Sequence, residues 1–83
     1  MIKVTLFTTD DSCKEICDVK IAHVTMFERH EIVLRFIHNE EQLKFMDACI
    51  RNYVLFSCQG REITLLTESK NYQRVRVRFD AIN

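Results

Sequence analysis

The 83-residue chain has no proline, a single glycine and no net charge, its twelve basic side chains balancing twelve acidic ones. One glycine leaves no room for the Gly-rich loop whose backbone N–H groups cradle a phosphate. Zero net charge removes the long-range attraction that draws most non-specific nucleic-acid binders to their target, so any such binding must come from a local patch. No stretch approaches the roughly 20 apolar residues that a membrane-spanning helix needs. The opening Met1-Ile2-Lys3-Val4-Thr5-Leu6-Phe7 also lacks the long apolar run and small-residue cleavage site of a signal peptide. These absences predict a cytoplasmic protein that takes no part in membrane binding. In that reducing compartment Cys13, Cys17, Cys49 and Cys58 are expected as free thiols, mostly small core residues.

Size sets a further bound. A chain this short supports one hydrophobic core, and a domain of its length buries only about two-thirds of the surface its unfolded chain exposes. Residues 1–83 are therefore read as a single domain with a net stability of roughly 5–10 kcal/mol. A deep enclosed active site would consume much of such a core. The composition is ordinary for a globular protein, 47% hydrophobic and 29% charged, which argues against disorder. One Gly and three Ala stand against eight Ile, six Phe, five Lys and four Asn. That bias fits A/T-rich coding, such as many bacteriophages and some bacteria have.

Along the chain, Ile2, Val4 and Leu6 alternate with Lys3, Thr5 and Phe7, the period-two pattern of a strand with one face on the core. Thr8 to Ser12 reads as a polar connection, with Asp10 and Asp11 as a turn or capping pair. Ser12 and Glu15 are spaced as a capping box for a short helix over Cys13 to Cys17. Val19 to Phe27 is rich in β-branched and aromatic residues and is read as a strand. Glu28-Arg29-His30-Glu31 then forms a hairpin loop into Ile32 to Ile37, apolar on both faces and so an interior strand paired antiparallel to the one before it.

Asn39 is placed to cap the principal helix, about 40–52, with Glu40 and Glu41 at its positive dipole end and Gln42 reaching back to the cap. Leu43, Met46, Cys49, Ile50 and Tyr53 form its apolar side. Glu40 with Lys44 and Asp47 with Arg51 are ordered as i,i+4 pairs on the wet side. Tyr53 to Cys58 reads as a second interior strand. It turns through Gln59-Gly60-Arg61, where glycine supplies a positive φ, into a hairpin partner at Ile63 to Thr67. The last strand, Gln73 to Asp80, alternates strictly, with Val75, Val77 and Phe79 inward and Arg74, Arg76 and Arg78 outward. The fold class predicted is α+β, a small antiparallel sheet of five to six strands with the helix packed on one face. A ferredoxin-like or thioredoxin-like βαβ arrangement is the second choice, should residues 13 to 24 be helical.

The guanidinium ladder of the last strand is the most distinctive surface feature. Alternate strand residues lie about 6–7 Å apart, and each Arg offers a planar fork for a carboxylate or phosphate. Arg61 and Lys70 are candidates to extend the patch, and Tyr72 could add a stacking ring. Residues 61 to 83 hold five basic and three acidic groups, +2, whereas residues 1 to 60 hold seven and nine, −2. The plainest reading is an edge strand protected from aggregation by charge. A protein partner comes next, and nucleic acid after that because of the charge balance. An exposed sheet edge also allows a homodimer by pairing with its own copy.

Cys13-Lys14-Glu15-Ile16-Cys17 behind an opening Val4-Thr5-Leu6-Phe7-Thr8-Thr9 is similar to a glutaredoxin start. That family places two residues between its thiols and carries a cis-proline loop. Here the spacer is three residues and proline is absent, so thiol–disulfide chemistry ranks last. Cys13 and Cys17 with His23 and His30 lack the paired spacing of a zinc site, and His38 borders the main helix as a solvated side chain. No metal and no cofactor is expected. No Ser or Cys is joined to a supporting His and carboxylate in a recognisable pattern. The functional expectation is a small non-catalytic interaction protein, a regulator or inhibitor, that binds a macromolecule through the Arg-lined strand.

Overall fold

A computed structural model of the chain describes residues 1–8, 15–27, 31–66 and 75–82. In order these form strands β1 (Ile2–Thr8), β2 (Glu15–Ile21), β3 (His23–Phe27) and β4 (Glu31–Arg35), helix α1 (Asn39–Arg51), then β5 (Phe56–Gln59), β6 (Glu62–Leu66) and β7 (Val75–Ala81). All pairings are antiparallel, and the strands make two sheets, ordered β2-β1-β7 and β3-β4-β6-β5. The α+β class read from the sequence is the class observed, with seven strands in two sheets among the described residues in place of one sheet of five or six.

The first departure lies at residues 15 to 27. Glu15 to Cys17, expected to end a short helix, belong to β2; Cys13 and Lys14 lie outside the described residues. The βαβ alternative is thereby set aside for residues 15 to 24. The strand expected from Val19 to Phe27 is in fact two, divided at Ala22, whose N–H donates to the Arg35 carbonyl at 2.9 Å. The reason is a phase slip. Cys17, Val19 and Ile21 point into the core from odd positions, whereas Val24 packs inward from an even one. Side chains alternate strictly along a strand, so moving the apolar set from odd to even positions requires a break. Ala22 supplies it, passing the chain from one sheet to the other.

β1 is the middle strand of its sheet, with Val4 opposite Val19 and Phe79, and Leu6 opposite Cys17 and Val77. These residues build the core face. Thr5 on the other face is also fully buried, 0% exposed, so β1 is covered on both sides at its centre instead of on one. In the second sheet Ile32 pairs with Leu65 and Leu34 with Ile63, and all four are buried. β4 is interior as expected. β5 is an edge strand, which corrects the interior position read from its apolar run; β6 takes the interior place. Gly60 closes the β5–β6 turn with φ of 60°, the left-handed conformation the sequence required there.

The helix spans Asn39–Arg51 with His38, not Asn39, as N-cap, and no side chain caps it. Asn39 accepts a hydrogen bond from the Arg61 guanidinium, which ties the β5–β6 turn to the helix start. Gln42 does not reach back to the cap either. It is buried, and its amide donates to the Gly60 carbonyl at 2.7 Å and to the Cys58 sulfur at 3.3 Å. The inward face consists of Gln42, Phe45, Ala48 and Cys49, with the Phe45 ring 5.7 Å from that of Phe36. Leu43, Ile50 and Tyr53, expected to pack inward, are 57%, 62% and 70% exposed. The helix is thus rotated from the orientation read off its largest apolar residues.

At its C-terminus the N–H of Val54 donates to Cys49 O at 2.8 Å and that of Tyr53 to Ile50 O at 3.3 Å. This is the paired arrangement of a Schellman ending, which uses a left-handed residue just past the cap. Glycine usually stands there. Here it is Tyr53, with φ of 56°.

Candidate partner-binding surface

Both edges of the three-stranded sheet run beside polar groups, and they are treated differently. Along β2 the helix supplies the missing partners. The Glu41 carboxylate accepts from the Lys20 backbone N–H at 3.1 Å, and Lys44 Nζ donates to the Asp18 carbonyl at 3.0 Å. The Cys17 thiol donates to the Lys44 carbonyl at 3.9 Å, a long contact that a sulfur donor tolerates. Lys44 is thereby engaged with β2 and not with Glu40, its expected partner. An edge strand whose outward N–H and C=O groups are met by side chains offers little to a further strand.

β7 forms the opposite edge, and among the described residues it pairs with β1 alone. Its register sets Arg76 opposite Phe7, Arg78 opposite Thr5 and Asp80 opposite Lys3. Arg76, Arg78 and Asp80 are exposed, as the alternation predicted, while Val77 and Phe79 lean on the core. The Arg78 guanidinium lies 4.9 Å from the centre of the Phe7 ring, a cation–π distance, and its Nε donates to the Asp80 carboxylate at 3.0 Å. Phe7, Arg76, Val77 and Arg78 line an open groove of about 350 Å³. Across the same sheet face Lys3 Nζ pairs with Asp18 at 3.1 Å. Between Asp18 and Arg78 in register sits Thr5, whose buried hydroxyl has no hydrogen-bond partner among the described residues.

Of the six residues singled out from the sequence, the structure brings Arg76 and Arg78 together on one exposed strand. Arg61 stands in the turn of the other sheet and is held by Asn39. Arg74, Lys70 and Tyr72 lie outside the described residues. Sequence reading missed Phe7. The signal was present in its outward position on β1, but the neighbour that places it under Arg78 is more than seventy positions away along the chain.

The thiols fall into two environments. Burial pushes the Cys17 thiol up to about 11, Lys44 opposing and Asp18 adding to the shift, and pushes Cys49 up to about 12. Both are protonated at neutral pH, which deprives them of the thiolate that nucleophilic or redox chemistry needs. Cys58 is exposed, and Cys13 lies outside the described residues. His23 is exposed on β3, and His30 is not among the described residues. No described helix is long and apolar enough to cross a membrane.

Comparison with known proteins adds no relative. No family model, curated protein or solved structure matches the chain.

Proposed function

We propose that the chain is a small cytoplasmic, non-catalytic interaction protein that regulates or inhibits a protein partner. The observation that carries this reading is the edge strand β7, with Arg76 and Arg78 exposed above a groove floored by Phe7. An extended segment of a partner could add to this edge by main-chain hydrogen bonds, with acidic side chains meeting the guanidinium forks. The zero net charge of the chain favours a protein over nucleic acid, because it offers a polyanion no long-range attraction. The β7 edge, which pairs with β1 alone among the described residues, is the site, since the other edge of this sheet is already closed by the helix.

Nucleic acid is the second reading, favoured by the aromatic ring among arginines. Fluorescence anisotropy of short single- and double-stranded DNA and RNA at two salt concentrations separates the two. The comparison is between wild type and an Arg74→Ala, Arg76→Ala, Arg78→Ala variant. The proposal expects no nucleic-acid binding at low salt. Micromolar binding that the variant loses, with a log–log salt slope of about −2 to −3 as for three phosphate contacts, replaces it with the nucleic-acid reading.

A further inference from the structure

Helix α1 carries more apolar surface than the core uses. With successive residues turned by about 100°, Gln42, Phe45, Ala48 and Cys49 cover the arc that packs inward. Leu43, Met46 and Ile50 form a second arc directly beside it, and Tyr53 stands just past the end of the helix. Leu43, Ile50 and Tyr53 are 57%, 62% and 70% exposed, and Met46 is half-buried at the border of the two arcs. The helical positions Leu43, Met46 and Ile50 are spaced three and four residues apart. That is the spacing of a helix seam that faces another helix, because it keeps knobs aligned along one side as two helices pack at a shallow angle.

The charges beside the seam specify the occupant. Glu40, Asp47 and Arg51 follow one another along its free flank, all exposed, with the acidic group Glu40 near the start and Arg51 in the last turn. An antiparallel copy of the same helix that sets Leu43 beside the second copy's Ile50 brings Glu40 within about two residues of the second copy's Arg51. The offset is roughly 3 Å at 1.5 Å rise per residue, within reach of these side chains. Two-fold symmetry repeats each pair, and antiparallel helix dipoles oppose favourably. A chain of zero net charge also meets its own copy without long-range repulsion.

Tyr53 adds an independent sign. A non-glycine residue held at φ of 56° is strained, and the strain here keeps a large ring at the exposed end of the seam. We infer that two copies of the chain associate through α1, antiparallel, along Leu43, Met46, Ile50 and Tyr53. This surface is distinct from β7 and independent of the partner-binding proposal. A contact of one short helix per copy buries roughly 1,000 Å² in total, the small end of specific interfaces. An interface of this size belongs to the weak, transient class, and a dissociation constant on the order of 10–100 μM is the range to test.

Sedimentation velocity from about 5 to 500 μM (spanning that constant) tests the inference on wild type, Ile50→Glu, Arg51→Glu and Tyr53→Gly, with circular dichroism to verify folding. Wild type is expected to pass from monomer to dimer over this range. Ile50→Glu, at an exposed position, should stay folded and lose at least about tenfold in affinity, the equivalent of 1.4 kcal/mol. Arg51→Glu should weaken the dimer and Glu40→Lys in the same chain should restore it. Tyr53→Gly should raise the thermal midpoint of the monomer and still weaken the dimer, a combination that a purely structural role for this residue does not produce. A wild type that remains monomeric throughout overturns the inference, and so does a dimer that Ile50→Glu leaves intact.

Discussion

The two edges of the three-stranded sheet have the same backbone chemistry and different fates. At β2 the helix lies alongside, and Glu41 and Lys44 take up one N–H and one carbonyl that would otherwise face outward. On the outer side of β7 no described element lies alongside, and the strand presents alternating guanidiniums instead. One edge is closed by hydrogen bonding and the other is guarded by charge. Both devices prevent uncontrolled strand pairing, but only the second leaves the backbone available to a chosen partner.

The largest way to break this comparison is to remove the anchor that holds the helix over β2. Phe45 is fully buried against Phe36, and Phe45→Ala should cost about 3–5 kcal/mol. Urea denaturation measures the loss, and hydrogen exchange at the Lys20 amide should accelerate by more than exchange in β7. Equal acceleration at both edges would mean that the helix does not selectively protect β2.

Alkaline pH gives a second and smaller test of the covered side, where Cys17 and Cys49 are buried. Their folded-state values, about 11 and about 12, lie above those of the unfolded chain. The native state therefore holds protons that the unfolded state releases first. The stabilisation is complete below the ordinary thiol range and declines as pH rises from about 9 towards the folded values, by up to about 1.4 kcal/mol per pH unit per thiol. Urea midpoints at pH 7, 9 and 10 should fall, and Cys49→Ala should flatten the decline while lowering the midpoint at pH 7. A midpoint that is constant to pH 10 would contradict burial of these thiols.

The smallest effects sharpen the contrast between the edges themselves. Glu41→Ala and Lys44→Ala each remove an exposed hydrogen bond to β2 and should cost no more than about 1 kcal/mol. Arg76→Ala and Arg78→Ala should change stability by less than about 0.5 kcal/mol. Thermal unfolding of the four variants compares them directly. A larger loss at β7 than at β2 would make the arginines structural and leave the proposed binding edge without its motive.

The strictly alternating segments were legible from sequence because alternation itself encodes a buried and an exposed face. Ile2 to Leu6 and residues 75 to 79 are strands as expected, with Val77 and Phe79 leaning on the core and Arg76 and Arg78 outward, whereas Thr5, read as outward, is buried. The helix beginning at Asn39 was equally clear, although its cap was not, since Asn39 found a stronger claim in Arg61. The break at Ala22 left a trace in the change from odd to even apolar positions, a signal that residue type alone obscures.

What sequence determined by itself, then, is whatever follows from local period: the class of the fold, the strand faces, the turn at Gly60 and the existence of the helix. Which arc of that helix turns inward was decided only in the tertiary structure. Both arcs are apolar enough to be buried, and the larger one lost. Phe45 fits against Phe36, and Gln42 donates to the carbonyl of Gly60, so the inward arc satisfies shape and hydrogen bonding together. The pairing of β1 with β7 and the division into two sheets were likewise settled by long-range packing, which no local period can express.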